Sequence, residues 1–269
     1  MLPLSPDGVI ALFNSWPPLV MLAVMVALAF GGLLVMFRLF GPAGIYAFIP
    51  VAVLGANVQV LKVVEFAFFP DPVALGTVLF ASTFLATDIL NEFYGSAAAR
   101  KGVWIGFTTF LLWTLILIAT LGFTPISGAQ AEAAGVQGAV PVQAHMAALF
   151  TPAPALFIAG MAAYLISQLV DVALFARLRR AFSGRALWLR NTGSTALSTL
   201  IDNAVFSVLA WIVLAPDPLP WGTVVMTYIL GTYILRLAVA LLDTPFMYLS
   251  RAAVGRKLRG NAGHGQAFA

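Results

Sequence analysis

The sequence predicts an all-α polytopic membrane protein, and three observations predict it. First, 61% of the 269 residues are hydrophobic and only 9% are charged, with a mean hydropathy of +0.98. A soluble domain carries roughly a quarter of its residues as charge, so this chain must use lipid as part of its solvent. Second, the apolar runs are continuous and many approach the ~20 residues that an α-helix needs to cross hydrocarbon. Continuous runs reject the alternation of a membrane β-barrel. Third, the basic residues fall into a few segments between those runs, as described below.

Composition also excludes several classes. A soluble enzyme, a secreted scaffold and a disordered binder do not fit. The chain has no Cys, hence no disulfide framework and no thiolate metal site. His145 and His264 are the two histidines, which argues against haem or a His-rich metal centre; no cofactor or metal is expected. The net charge of +4 does not point to nucleic acid. The first 18 residues lack a basic n-region, and no signal peptide is evident.

Seven spans are read in order: about 19–37, 46–66, 73–90, 102–123, 155–176, 196–215 and 223–249. The third is short. The seventh is long, and Gly231 and Pro245 mark points where it tilts or breaks. Lipid-exposed backbone must satisfy its own hydrogen bonds, so each run is expected to be helical. The segment 124–154 is either a loose loop or a short surface helix, and its His145 is expected at the surface. Residues 1–18 and the Gly-rich 260–269 are expected to be flexible ends.

Charge placement tests this count. Arg38 lies between spans one and two, and Arg100 and Lys101 between three and four. Arg177, Arg179, Arg180, Arg185 and Arg190 lie between five and six, and Arg251, Arg256, Lys257 and Arg259 form the tail. Seven spans put all four segments on one side. The positive-inside rule then places the N-terminus outside and the C-terminus in the cytoplasm.

Polar residues remain within the apolar runs, where an exposed ion costs at least about 2.5–3.5 kcal/mol. They are therefore expected to face the bundle interior, to pair, or to sit near water. Asn57, Gln59, Lys62 and Glu65 belong to the second run. Lys62 and Glu65 are spaced to share a helix face, either as a local ion pair or as part of a ligand-facing set. In the third run, Asp88 and Glu92 share a face beside Asn91. Their like charges must be offset by a cation, a proton or a ligand donor. Gly95 is positioned to end that helix in a left-handed cap. Tyr164, Ser167, Gln168 and Asp171 draw a polar stripe on the fifth run. Ser198, Asp202 and Asn203 mark the sixth, and Tyr233, Arg236 and Asp243 the last. Arg190 either anchors the cytoplasmic loop or pairs with a span carboxylate. Any one cluster suits an interhelical network. Five in one small bundle favour a solvated or ligand-filled centre, and a planar heterocycle suits a lining of carboxylates, amides and aromatic rings.

These residues carry a family likeness. Ser82-Thr83-Phe84-Leu85-Ala86-Thr87-Asp88-Ile89-Leu90-Asn91-Glu92-Phe93-Tyr94-Gly95, followed by Ala99-Arg100, resembles the signature of the queuosine precursor transporters of the vitamin uptake transporter (VUT/ECF) family. Ala163 to Val172 matches next. The segment Leu187-Trp188-Leu189-Arg190-Asn191-Thr192-Gly193-Ser194-Thr195 follows, with Ser198, Ile201-Asp202-Asn203 and Phe206. Asp243-Thr244-Pro245-Phe246 closes the series, and Asn57-x-Gln59-x-x-Lys62 resembles the family's first membrane segment. Asn203 stands where many members have Thr, and Gly193 where they have a second Asn.

The resemblance implies a six-helix core like the substrate-binding subunit of an energy-coupling-factor transporter, with the first span as an N-terminal addition. The implied organisation is an extracytoplasmic segment 1–18, an additional transmembrane helix 19–41, a transporter core 42–250 and a cytoplasmic tail 251–269. The implied function is uptake of 7-deazaguanine precursors such as preQ0 or preQ1 across the bacterial inner membrane. The substrate-binding or polar-core candidates are Asn57, Gln59, Lys62, Asp88, Asn91, Glu92, Tyr164, Gln168, Asp171, Ser198, Asp202, Asn203, Arg236 and Asp243, with Arg190 and Asn191 as a loop motif. A transporter of another heterocycle or vitamin, and a non-transporting scaffold or accessory subunit, are the alternatives. No P-loop motif occurs, so facilitated uptake by gated exposure of a central pocket is the expected mechanism, with ion coupling through an interior carboxylate or a separate energising module as alternatives. A homo-oligomer stays open. A membrane enzyme fits least, for want of a nucleophile–base set or a metal-ligand cluster.

Overall fold

Ser5 opens the first helix, α1 (Pro6–Asn14), by accepting a hydrogen bond from the Gly8 N–H. In the computed structural model, which describes residues 5–66, 73–150 and 154–261, the N-terminal segment expected to be flexible is thus helical over 6–14. Pro18 then starts α2 (Pro18–Phe40), which carries a π-helical turn at Ala27–Gly31. Gly41, at φ +62°, reverses the chain directly into α3 (Pro42–Gln59). Pro50 is tolerated inside α3, as prolines are in helices braced by neighbours.

The sequence reading extends this second run to residue 66, and the structure corrects it. The helix stops at Gln59, and the β-branched Val63–Val64 pairs antiparallel with Val73–Ala74. The Leu75 N–H donates to the Lys62 carbonyl, 2.8 Å, and closes this small ladder. Lys62 and Glu65 therefore share no helix face.

Gly76, at φ +101°, turns the chain into α4 (Thr77–Tyr94). Gly95 ends that helix at φ +85°, as expected, but with an extended ψ of 168° instead of the left-handed helical value. Next come α5 (Ser96–Leu121), α6 (Gly128–Ala133) and α7 (Ala139–Phe150). The 124–154 segment is therefore partly helical. Ser127 and Gln130 form a capping box on α6, and His145 on α7 is exposed. The long rods α8 (Pro154–Ala181), α9 (Leu187–Val213) and α10 (Trp221–Ala252, continuing to Asn261) complete the bundle. The helix α9 ends in a π turn (Leu209–Val213), and α10 begins with one (Val224–Gly231). Pro245 does not break α10. The sixth run begins nine residues before its expected start, so Arg190 and Asn191 are buried helix residues and not loop residues. Residues 262–269 of the expected flexible tail lie outside the described residues.

Six described helices are long and apolar enough to cross a membrane: α2, α3, α5, α8, α9 and α10. The expected third span, α4, is a helix of 18 residues but is not among them. Thirteen of its residues are buried, including Ser82, Thr83, Thr87, Asp88, Asn91 and Glu92. It packs against α3, α5, α8 and α10. A helix enclosed by protein can carry polar residues on several faces because they meet protein partners instead of lipid. The outer faces show the reverse pattern. Leu28, Val51, Leu112, Ile116, Met226 and Ile234 are all exposed.

Close approach fixes the flank of α4. Gly102 and Gly106 lie one turn apart on α5. A Cβ at Gly102 would meet the Ile49 and Leu90 methyls at 2.9 Å each, and one at Gly106 would collide with the Tyr164 hydroxyl. This small-xxx-small face lets α5 seat against α3, α4 and α8.

A buried acidic centre and a cavity at the opposite end

Four helices supply the polar centre. Asp88 on α4, Asp171 on α8, Asn191 and Ser198 on α9, and Asp243 on α10 are all 0% exposed. Asp88 and Asp171 sit on α4 and α8, which pack against each other. Ser198 donates to Asp171 Oδ1, 2.8 Å. Asn191 Nδ2 donates to Asp243 Oδ1, 2.5 Å. The remaining acceptors lack a donor among the described residues: both oxygens of Asp88, Oδ2 of Asp171, Oδ2 of Asp243, Oδ1 of Asn191 and Oγ1 of Thr195. Such burial is costly for any polar group and most costly for a charge.

Toward the basic ends of the helices sits a second group, in which the carboxylate is compensated although Arg190 Nε lacks a partner among the described residues. Glu92 accepts from Arg190 Nη1 at 2.8 Å and Nη2 at 3.3 Å. Arg251 also donates to it, and Arg179 stands 3.7 Å away. Arg190 is 0% exposed, and its guanidinium lies 5.2 Å from the Phe175 ring centroid. Glu92 thus joins α4, α8, α9 and α10. Of the two readings left open for Arg190, the geometry favours pairing with a span carboxylate. Asp88 and Glu92, the expected like-charge pair, differ sharply: three arginines offset Glu92 and none offsets Asp88.

Amides and hydroxyls bind α4 to α8. Gln168 Nε2 donates to Thr83 Oγ1, 2.7 Å, and Gln168 Oε1 accepts from Thr87 Oγ1, 3.1 Å. Asn91 Nδ2 donates to the Val172 carbonyl, 2.8 Å. Tyr164 reaches the Val103 carbonyl of α5 at 3.4 Å.

The other candidates lie apart. Arg236 pairs with Asp202, both partly exposed, and Ser167 donates to Asp202 Oδ1, 3.0 Å. Asn203 donates to the Ile229 carbonyl, 3.2 Å, and to Thr232 Oγ1, 3.0 Å, and so clamps the end of the π turn in α10. Asn57 bonds its own helix at the Val53 carbonyl, 2.8 Å. Gln59 and Lys62 line a cavity of about 410 Å³ at the end opposite Glu92, with Phe13, Trp16, Phe66 and Thr77.

Sequence reasoning missed several of these residues. Arg179 and Arg251 were accounted for by the positive-inside rule alone, which hid their approach to Glu92. Thr83 and Thr87 fell within the recognised signature, yet hydroxyls in apolar helices usually bond their own backbone. The cavity's Phe13 and Trp16 had no signal, because the N-terminal segment read as a loose end. Among the described residues, no group of three or more His, Cys, Asp or Glu side chains is placed to hold a metal ion.

A family profile described as "Putative vitamin uptake transporter" matches residues 74–250. A Bacillus subtilis (strain 168) protein named "Probable queuosine precursor transporter" is 35% identical over 222 residues, 82% of this chain and 89% of its own length. A Haemophilus influenzae protein of the same name is 28% identical over 136 residues, about half of each chain. No solved structure matches. The profile spans α4 through α10 and includes the whole acidic centre, and on that match the chain belongs to the vitamin uptake transporter family.

Proposed function

We propose that this protein imports 7-deazaguanine precursors of queuosine, of the preQ0 and preQ1 type, across the bacterial inner membrane. The observation that carries the reading is the 35% identity, over most of both chains, to a probable queuosine precursor transporter. The cavity supports it. A space of about 410 Å³ lies within the usual range for small-molecule sites, ~300–1,000 Å³. Phe13, Trp16 and Phe66 offer ring faces, while Gln59 and Lys62 offer polar groups to the edge of a heterocycle. On this reading the substrate binds there first and crosses past Asp88, Asn91, Gln168 and Asp171 when the helices shift.

The topology proposed with it has seven crossings. The long helix α2 is an addition to a core of α3, α4, α5, α8, α9 and α10. Twelve of the fourteen basic residues then share one side, which places the cavity outside, and Glu92 and the C-terminus toward the cytoplasm. Cells unable to make the precursor, but able to convert it, supply the test. Carrying this chain, they should take up labelled preQ0 well above an empty vector. Uptake equal to the vector would remove the transport reading.

A further inference from the structure

The cavity at the end opposite Glu92 has an uneven charge. Its wall is mostly apolar, and four lining residues bring polar side chains: Asn14, Gln59, Lys62 and Thr77. None of these side chains is hydrogen-bonded or ion-paired to another described residue. Among the described residues, no Asp or Glu lines the cavity. The acids of the surrounding elements lie elsewhere. Asp7 on α1 and Glu65 beside the short ladder are exposed and form no part of the wall. Asp202 is held by Arg236, and Asp88 and Asp243 are fully buried further along α4 and α10. Lys62 is therefore the one charged group on the described wall. Its backbone is already engaged: the N–H donates to the Gln59 carbonyl, 2.9 Å, and the carbonyl accepts from the Leu75 N–H, 2.8 Å. What Lys62 offers a ligand is its ammonium, which donates and cannot accept.

The two precursors differ in this respect. Both share the 7-deazaguanine ring. At position 7, preQ0 carries a nitrile, which is neutral and only accepts. There preQ1 carries an aminomethyl group, protonated at neutral pH as a lysine amine is, which only donates. Asn14, Gln59 and Thr77 can serve a donor or an acceptor, so they do not sort the two. Lys62 does. It can donate to a nitrile or a ring carbonyl, and it repels an ammonium. In an apolar enclosure without a carboxylate, an ammonium also gives up water and meets no counter-charge.

We propose that this cavity selects by charge, taking 7-deazaguanines with a neutral 7-substituent, such as a nitrile, over those that carry an ammonium, with Lys62 as the specificity-determining residue. This rests on the transport reading above and narrows its substrate class. The ring stacks on the aromatic wall in either case, and the discrimination comes from the 7-substituent alone.

Competition for labelled preQ0 on the purified full-length protein at pH 7 tests this. Unlabelled preQ0 should displace the label at a concentration about tenfold lower than preQ1 needs, a difference of about 1.4 kcal/mol. The 7-hydroxymethyl analogue, which has the shape of preQ1 without its charge, should side with preQ0. Lys62→Met should narrow the gap, and Lys62→Glu should close or reverse it. Lys62 is exposed, so both variants should fold; were Lys62→Glu lost, Lys62→Met and the wild-type series would decide. Equal displacement by preQ0 and preQ1, or tighter preQ1, would overturn the charge selection and leave import standing. So would a hydroxymethyl analogue as weak as preQ1, which would mark size as the criterion, or a gap unmoved in the folded Lys62 variants. No saturable preQ0 binding to folded protein would overturn both readings.

Discussion

Glu92 and Asp88 lie one helical turn apart and are held in opposite ways. Glu92 is ionised and saturated by arginines, and its buried partner is Arg190. Removing Arg190 leaves a carboxylate facing the protein interior with only its outer partners. The expected cost of Arg190→Met is about 3–5 kcal/mol, read as loss of folded protein in membranes and a lower melting temperature in detergent. Arg251 touches the same carboxylate, but its side chain is 41% exposed. Arg251→Ala should cost no more than about 1 kcal/mol. Equal effects of the two substitutions would contradict the central position given to Arg190. Asn203 offers a milder case. Asn203→Leu removes both bonds that clamp the π turn of α10. Interhelical bonds of this kind average about 0.6 kcal/mol and reach about 1.7 in membranes. A modest fall in melting temperature, with substrate binding at the cavity kept, is the expected result.

Among the helices, α5 and α4 show what packing demands. Gly106→Leu would drive a side chain into the Tyr164 hydroxyl and Ile49. Overpacking costs about 1–3 kcal/mol, so folded protein in the membrane should fall. Gly102→Ala meets only the tips of Ile49 and Leu90 and should be tolerated better. Identical abundance of Gly106→Leu and wild type would show that α3, α5 and α8 are not closely seated. Helix existence was legible in the sequence, because runs of apolar residues have few alternatives in lipid. Helix ends were less legible. Hydropathy alone missed that α9 starts at Leu187, since Arg190 and Asn191 look like loop residues until Glu92 and Asp243 stand opposite them. It also overran α3, where Val63 and Val64 favour a short strand. The long-range partners Glu92–Arg190, Asn191–Asp243 and Gln168–Thr83 could not be paired from spacing within one helix.

Taken whole, the molecule buries its acidic centre and turns many large apolar side chains outward. Lipid solvates Leu28, Val51, Ile116 and Met226, while Asp88, Asp171, Asn191 and Asp243 see only protein. That arrangement is stable only if the interior acids are compensated, and it is useful only if something crosses between them. The cavity and the acidic centre occupy successive depths of the same bundle. Closure at the centre with space at the opposite end is one of the two states that alternating access requires. Binding of labelled preQ0 to the purified protein measures that central claim most directly. We expect saturable binding, displaced by unlabelled preQ1 but not by unrelated vitamins, and weakened by Gln59→Leu with the melting temperature unchanged. Absence of saturable preQ0 binding to folded protein, or equal displacement by every heterocycle offered, would contradict it.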